Sequence, residues 1–174
     1  MKKMAEIERQ RQKDKSPAEY RRAIGHLVVD TILCSGCRTC MAICSLSHTG
    51  VSHPELSRIQ VMGFLREGNL IQAAACLQCQ VPKCLSACPE GAIYIDNNTG
   101  ARVIETGKCT GCRLCIEACP NKAKSPVNYC GEILSPIRYD PDNKVCVKCD
   151  LCGGVPLCVK HCPMNALRLE KKEA

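Results

Sequence analysis

Cysteine is the residue type best placed to do chemistry in this chain, and its spacing repeats. The stretch CTGCRLCIEACP, residues 109–120, places four cysteines within eleven positions and then adds a proline. A near copy, CSGCRTCMAIC, occupies residues 34–44. The run C-x2-C-x2-C-x3-C-P is a known pattern of bacterial iron–sulfur ligation, in which the fourth cysteine binds the other cluster of a pair. These stretches therefore predict 4Fe–4S clusters that occur in linked pairs.

Two further groups of cysteines have a longer spacing. They are CLQCQVPKCLSACP, beginning at Cys76, and CDLCGGVPLCVKHCP, which ends in Cys162-Pro163. Both carry Val-Pro before their third cysteine. Alignment on Val-Pro assigns Cys149 and Cys152 to the last group and leaves Cys146 outside it. The four groups therefore alternate short, long, short, long.

Sixteen cysteines are candidate cluster ligands, and two of the chain's eighteen remain outside the groups. The outsiders, Cys130 and Cys146, are interpreted as small buried apolar residues rather than as catalytic thiols. The candidate ligands are Cys34, Cys37, Cys40, Cys44, Cys76, Cys79, Cys84, Cys88, Cys109, Cys112, Cys115, Cys119, Cys149, Cys152, Cys158 and Cys162.

Zinc is the main rival to iron, because structural zinc sites also use C-x2-C pairs. Such sites rarely use three cysteines at two-residue spacing followed by a fourth, and they often include histidine. The four histidines of the chain follow no ligand spacing; they are His26, His48, His53 and His161. We expect His161, beside Cys162, to lie at the surface or to support a ligand. The pattern therefore favours iron–sulfur clusters over zinc.

The N-terminal region bears on the redox compartment. RRAIGHLVVD, residues 21–30, briefly resembles a twin-arginine export signal, but His26 interrupts its short apolar run and Asp30 ends it. No stretch reaches the ~18 apolar residues of a membrane span. We therefore expect a cytoplasmic protein without an export signal or a direct membrane span. Thiols stay reduced in that compartment, so the cysteines indicate metal ligands rather than disulfides.

The apolar content of the chain is small once cysteine is set aside. Hydrophobic residues make up 45% of the chain with cysteine included, aromatic residues make up 3%, and tryptophan is absent. So thin a core predicts that metal binding supplies folding free energy and that the protein without iron is largely unfolded.

The formal net charge of +7 would suit a nucleic-acid partner. Each 4Fe–4S cluster with four thiolates, however, carries a net charge of about −2, so four clusters offset the excess. The basic residues in or beside the cysteine groups are then expected to compensate cluster charge, and bases would find few aromatic stacking partners. We therefore expect no nucleic-acid partner. The basic residues are Arg38, Lys108, Arg113 and Lys148.

The segments between the groups predict short hairpins within 58–74, 92–105 and 137–147, with turns at 67–69, 97–100 and 141–143. Helical turns are expected around the third and fourth cysteines of each group. Residues 120–136 are expected to form a longer loop, and residues 1–22 a solvated helix or a disordered arm. The predicted fold class is α+β.

The order of the groups, with KCDLC opening the last, resembles a known family. It comprises the four-cluster, ferredoxin-like electron-transfer subunits of molybdenum and tungsten enzymes of anaerobic metabolism, also found with some hydrogenases. The resemblance covers about residues 27–170 and implies two fused bacterial-type double-cluster modules. A charged arm would span 1–26, and the four-cluster domain 27–174. Its outer module would comprise about 27–60 and 137–170, and its inner module about 70–125.

The same resemblance implies four 4Fe–4S clusters and a ligand set for each. The implied sets are Cys34, Cys37, Cys40 and Cys162; Cys149, Cys152, Cys158 and Cys44; Cys76, Cys79, Cys84 and Cys119; and Cys109, Cys112, Cys115 and Cys88.

The stretch CSLSHTGVSHPELSRIQV, residues 44–61, resembles the short form that accompanies tungsten enzymes of the aldehyde:ferredoxin oxidoreductase type, including class II benzoyl-CoA reductase. The resemblance implies a non-catalytic electron-transfer subunit. Its partners would be a large tungsten or molybdenum subunit and a ferredoxin or further redox subunits. A free-standing polyferredoxin carrier is the alternative. An enzyme in its own right is disfavoured, because no vacant iron position and no glycine-rich phosphate loop is evident.

Overall fold

The computed structural model describes residues 20–64, 70–124 and 133–171. Within these ranges short strands and short helices alternate, which confirms the predicted α+β class of ferredoxin-like modules. The strands are β1 (Gly25–Val29), β2 (Gln60–Phe64), β3 (Leu70–Ala74), β4 (Ile93–Ile95), β5 (Arg102–Ile104), β6 (Ala123–Lys124), β7 (Ile133–Leu134), β8 (Ile137–Asp140), β9 (Val145–Lys148) and β10 (Leu167–Lys171).

Each α-helix in the described part of the chain carries the third cysteine of one group. The longest, α1, ends at Gly50, whose left-handed backbone lets its N–H bond the Leu46 carbonyl at 3.0 Å. Two of the short helices begin directly after Pro82 and Pro156, the prolines of the two Val-Pro pairs. The helices are α1 (Thr39–Thr49), α2 (Lys83–Ser86), α3 (Leu114–Glu117) and α4 (Leu157–Lys160), and 3₁₀ turns span Pro54–Leu56, Thr106–Lys108 and Leu151–Gly154.

The strands pair two by two, always antiparallel. Strand pairs β2–β3, β4–β5 and β8–β9 confirm the three predicted hairpins, although the turn expected at 67–69 lies outside the described residues. The pair β1–β10 joins the two ends of the described chain, with Gly25 opposite Lys171 and Val29 opposite Leu167. This pairing brings the first and last cysteine groups together.

Buried residues form two separate cores. The inner core contains Leu85 and Ile93 with cysteines of the second and third groups. The outer core contains Leu27 and Ile59 with cysteines mainly of the first and fourth groups. The hairpin β8–β9 contributes Ile137 and Cys146 to the inner core, although its sequence precedes the fourth group.

The segment before β1 is partly packed, so the expectation of a solvated arm is wrong for Tyr20, whereas Arg21 and Arg22 are exposed. Tyr20 is only 5% exposed and belongs to the inner core. Ile24 donates a backbone hydrogen bond of 2.9 Å to the Thr99 carbonyl. A Cβ on Gly100 would lie 2.1 Å from the Arg22 carbonyl oxygen, so the segment lies directly on the turn after β4. We call this segment, residues 20–24, the strap; residues 1–19 lie outside the described part.

The expectation of one long loop over residues 120–136 is also wrong. Within it β6 and β7 pair, with Ala123 opposite Leu134. Pairing of β6 with β7 satisfies backbone N–H and C=O groups that would otherwise form hydrogen bonds to water. Residues 125–132, and Cys130 with them, lie outside the described part. Among the residues described, no helix combines the length and the apolar character needed to cross a bilayer.

Candidate metal centre

Seventeen cysteines line four cavities: a quartet from the four cysteine groups lines each, and Cys146 is a fifth cysteine at one of them. Each quartet coincides with one of the four sets implied by the sequence resemblance. Cavity 1 is lined by Cys34, Cys37, Cys40 and Cys162; cavity 2 by Cys44, Cys149, Cys152 and Cys158; cavity 3 by Cys76, Cys79, Cys84 and Cys119; and cavity 4 by Cys88, Cys109, Cys112 and Cys115, together with Cys146.

The fourth cysteine of each group reaches a neighbouring cavity because a helical turn separates it from the third. Cys40 and Cys44 lie one turn apart on α1, about 6 Å along its axis. Cys40 lines cavity 1 and Cys44 lines cavity 2. The other groups behave in the same way, so cavities 1 and 2 form an outer pair and cavities 3 and 4 an inner pair.

Left-handed residues fold the short C-x-G-C-R loops around their cavities. Gly36 and Arg38 have φ values of 70° and 60°. Gly111 and Arg113 repeat the pattern at 68° and 63°. Alternation of right- and left-handed residues turns successive backbone N–H groups toward one side, which creates a concave anion site of the kind found around iron–sulfur clusters. The loops thus suit an anionic cluster with thiolate ligands.

The two loops differ in how closely they are enclosed. A Cβ on Gly111 would lie 2.2 Å from the backbone oxygen of Lys144. A Cβ on Gly36 would meet only the Ile71 side chain, at 3.1 Å. Beside Gly111, the Arg113 guanidinium stacks on the Tyr139 ring at 3.7 Å. The hairpin β8–β9 therefore clamps the third group from one side.

Each cavity has at least one cysteine sulfur in a hydrogen bond. Such bonds tune the potential of an iron–sulfur cluster and orient its ligands. The bonded pairs are Cys37 with Thr39 Oγ1 at 3.4 Å, Cys44 with the Arg58 N–H at 3.4 Å, Cys79 with Asn121 Nδ2 at 3.3 Å, and Cys109 with the Cys146 N–H at 3.2 Å.

Burial keeps several of these thiols protonated when no metal is bound. It raises the pKa of Cys40 to about 11 and that of Cys158 to about 12. The pKa of Cys149 rises well above its ordinary value for the same reason. Crowded buried thiolates need a cation to compensate them, so metal binding here releases protons. This donor set, four cysteines to a cavity, fits a 4Fe–4S cluster.

A charged network closes cavity 2. His48 donates from Nε2 to the Asp150 carboxylate at 3.2 Å and from Nδ1 to the Cys44 carbonyl at 2.8 Å. The bond to Asp150 is the main cause that raises the pKa of His48 to about 10, so the ring is protonated. Arg58 also pairs with Asp150. Burial opposes ionisation of Asp150, but the bonds to His48 and Arg58 hold its pKa below the usual range.

Two buried cations line cavity 3. Lys148 is 3% exposed and Arg102 is 0% exposed. Burial disfavours the charged form of Lys148, but the sulfurs of Cys76 and Cys84 outweigh it and raise the pKa of the ammonium. Arg102 donates to the carbonyls of Gly100 and Gln80, while no partner for its buried Nε is found among the described residues.

Gln78 joins the inner pair of cavities to the outer pair. Its side chain is fully buried between cysteines of the second group. Its Nε2 donates to the Cys149 carbonyl at 2.9 Å, and its Oε1 accepts from the Arg102 N–H at 2.8 Å. The charge on Cys76 contributes to raising the pKa of Cys149, which reflects the proximity of cavities 3 and 2.

Cys146 also lines cavity 4, as a fifth cysteine beside the quartet that the resemblance implies. It is 1% exposed. The expected burial is therefore confirmed for Cys146, whereas Cys130 lies outside the described residues. His161 is exposed, as its surface interpretation requires.

Sequence reasoning did not find four of the residues that surround the cavities. His48 follows no ligand spacing in the sequence, yet it lies one turn after Cys44 on α1. Asp150, Arg58 and Gln78 gave no signal, since their partners are far away in sequence. His48, Asp150 and Cys152 place ligand atoms within 4.8 Å of one another, but Cys152 already lines cavity 2.

Comparison with known proteins agrees with the cavities. A family model described as a 4Fe-4S dicluster domain matches residues 68–120. The polyferredoxin-like subunit of the aliphatic sulfonate oxidoreductase of Pyrococcus furiosus is 40% identical over 129 residues, covering 74% of this chain and 66% of that one. The beta subunit of the NADH-dependent phenylglyoxylate dehydrogenase of Aromatoleum evansii is 36% identical over 150 residues, covering 84% and 30%. The chain thus spans about two thirds of the first relative and under a third of the second.

A third relative matches over most of both lengths. The electron transport protein HydN of Escherichia coli is 33% identical over 153 residues, which cover 81% of this chain and 85% of HydN. A solved structure, the active-site complex BamBC of benzoyl coenzyme A reductase, superposes with a TM-score of 0.49 at 25% identity, over 88% of this chain and 83% of that one. The length and identity of the HydN match decide the assignment: the chain belongs to this family of iron–sulfur electron-transfer proteins with 4Fe–4S dicluster domains.

Proposed function

We propose that each cavity holds one 4Fe–4S cluster and that the four together relay electrons within an oxidoreductase complex. The carrying observation is the division of sixteen cysteines into four quartets, each around one cavity. A bound 4Fe–4S cluster supplies one-electron transfer. The four quartets would be its ligands, and the loops and sulfur hydrogen bonds would set the potentials.

The connections between cavities support the order 1–2–3–4. Helix α1 carries Cys40 of cavity 1 and Cys44 of cavity 2, whereas α2 carries Cys84 of cavity 3 and is followed by Cys88 of cavity 4. Gln78 and the neighbouring sulfurs of Cys76 and Cys149 join cavity 2 to cavity 3. The proposed outer module therefore holds cavities 1 and 2, and the inner module cavities 3 and 4.

Cavities 1 and 4, at the two ends of this order, have exposed cysteines. Among the cysteines that the structure describes, Cys37 of cavity 1 and Cys112 of cavity 4 are the exposed members. Apolar side chains are also exposed nearby: Leu33 precedes the first group and is 51% exposed, and Leu114 lies in the third group and is 48% exposed. We infer that redox partners dock at these two ends and that cavities 2 and 3 pass electrons inside the protein.

The protein would carry out no bond chemistry of its own. A quartet of thiolates occupies one coordination position on each iron of a cubane, which leaves none for a substrate. The residues of this chain would instead bind the clusters, exclude water from cavities 2 and 3, and set the potentials. Catalysis would belong to a partner.

The proposed partner is a large tungsten- or molybdenum-containing subunit, with a ferredoxin or a further redox subunit at the other end. The names of two relatives support a place in a complex, since one is a subunit of a sulfonate oxidoreductase and the other of a phenylglyoxylate dehydrogenase. A cytoplasmic location fits this proposal because free thiols persist in reducing compartments.

Anaerobic native purification with iron, sulfide, tungsten and molybdenum analysis tests the proposal. We expect about sixteen irons per chain, which is four cubanes, and co-elution with a large subunit that contains tungsten or molybdenum. Sixteen irons on a lone monomer would make the protein a diffusing polyferredoxin. A chain with far fewer irons, or with zinc, would contradict the cluster assignment.

A further inference from the structure

Fixed charge is distributed unequally around the four cavities. Arg38 beside cavity 1 and Arg113 beside cavity 4 are exposed to solvent. At cavity 2, protonated His48 and Arg58 share the single carboxylate of Asp150 in a network that is partly exposed. Cavity 3 differs, because both of its buried cations are shielded from water.

Neither buried cation is neutralised by a carboxylate. Within the described ranges, no acidic side chain forms an ion pair with Lys148 or Arg102. The guanidinium of Arg102 is held by backbone carbonyls, which leave its positive charge intact. Lys148 lines cavity 3 together with the quartet member Cys76. Both charges therefore act on whatever occupies that cavity.

Burial makes these charges effective. Exposed charges are screened by water and salt, whereas buried ones are screened far less. An electron that enters a cluster adds negative charge, so a nearby buried cation stabilises the reduced form more than the oxidised form. Net charge and solvent exposure are among the factors that set cluster potentials. Cavity 3 thus combines positive charge with low exposure.

We propose that Lys148 and Arg102 give cavity 3 the highest reduction potential of the four, so that an electron entering the relay resides there. This inference rests on the proposed function. The step is a single electron moving from a neighbouring cluster to the one in cavity 3, with no bond broken and no proton transferred. The electron would reside in cavity 3 next to Gln78, which links this cavity to cavity 2 of the outer pair.

The test is an anaerobic redox titration of the full-length, iron-loaded protein followed by electron paramagnetic resonance. In Lys148→Met and Arg102→Met, the first cluster to be reduced should have a lower reduction potential. At a fixed ambient potential, its ratio of reduced to oxidised form should fall about tenfold, which corresponds to about 59 mV. Lys148→Arg should keep the wild-type ratio. Lys83 lines the same cavity but is exposed, so Lys83→Met is the matched control and should change the ratio less than about twofold.

A ligand substitution tests the assignment while both buried cations stay in place. Cys79→Ala should alter or abolish the highest-potential signal and leave the other three. Two results would overturn the proposal. One is loss of a lower-potential signal in Cys79→Ala, and the other is a highest-potential signal that is unchanged in Lys148→Met. If the charge variants do not fold, the outcome of Cys79→Ala decides. A wild-type protein without sixteen irons would instead contradict the proposed function itself.

Discussion

Gln78 donates a hydrogen bond of 2.9 Å to the backbone carbonyl of Cys149, across 71 residues of chain. The same side chain accepts a bond of 2.8 Å from the Arg102 N–H. One amide thus ties the second cysteine group, strand β5 and the fourth group together. It is a direct polar link between the two halves of the proposed relay.

Gln78→Leu is expected to weaken this junction. The substitution leaves the Cys149 carbonyl and the Arg102 N–H without their partner in a buried site, at a cost of about 1–3 kcal/mol for each group. Iron release to a chelator, followed by visible absorbance, should therefore accelerate at least about tenfold. Gln80→Leu is the control, because the half-buried Gln80 side chain donates to the Tyr20 carbonyl and lies outside the junction. Equal release rates for the two variants would contradict the proposed role.

Gly111→Ala and Gly36→Ala form a matched pair. Both alanines would occupy a left-handed backbone, which costs about 1–2 kcal/mol. Only the alanine at 111 would also collide with a backbone oxygen, that of Lys144 at 2.2 Å. We expect Gly111→Ala to lower the denaturation midpoint of the iron-loaded protein clearly more than Gly36→Ala. Similar midpoints would show that the hairpin β8–β9 does not clamp the third group.

Asp150→Asn should destabilise cavity 2. The change removes the anion that pairs with protonated His48 and with Arg58 in a site where the Asp150 side chain is 24% exposed. Since breaking a buried pair costs about 3–5 kcal/mol and this site is partly open, we expect a loss of about 2 kcal/mol in the free energy of unfolding. Asp142→Asn, at an exposed position of the β8–β9 turn, should change it by less than about 0.5 kcal/mol.

Cys146→Ala should keep the full iron content. Its thiol is buried, and its contact with Cys109 uses the backbone N–H, which alanine retains. The expected loss in stability is about 1 kcal/mol from the small cavity left behind. Cys115→Ala, by contrast, should lower the iron content. If Cys146→Ala also lost iron, Cys146 would belong among the ligands of cavity 4.

Complete removal of iron should unfold the protein. Cysteines make up five of the twelve buried residues of the inner core and five of the twelve of the outer core. Without metal these cavities have no filling, and the remaining apolar contacts are too few to offset the chain entropy. Native-like circular dichroism after iron removal would contradict this expectation.

Local spacing predicts the cysteines of each group that share a loop, whereas the fourth member of each quartet, from a distant group, was implied by the family resemblance. Cys34, Cys37 and Cys40 share one tight loop, and Cys44 follows one helical turn later, so local geometry leaves few alternatives. The Val-Pro alignment of the fourth group worked for a structural reason, since Pro82 and Pro156 each precede a helix that carries the third cysteine.

The charges and links around the cavities could not be predicted in this way. His48 and Asp150 are 102 residues apart, and their contact depends on how the first and fourth groups pack. Lys148 was expected to compensate cluster charge, but its burial depends on the inner core, to which β9 contributes. Likewise, the strap is charged in sequence, and only its packing on the turn at Gly100 shows why it is ordered.

The exchange of cysteines between distant groups sets an order of assembly during translation. The quartet cysteines of cavities 3 and 4 lie within residues 76–119, and hairpin β8–β9 completes their core after residue 148 has left the ribosome. Cavities 1 and 2 need Cys158 and Cys162, so the thiols of the first group leave the ribosome first and wait longest for iron. At about 5–20 residues per second, this interval lasts several seconds. The nascent chain therefore depends on its surroundings to keep its oldest cysteines reduced until its last ones arrive.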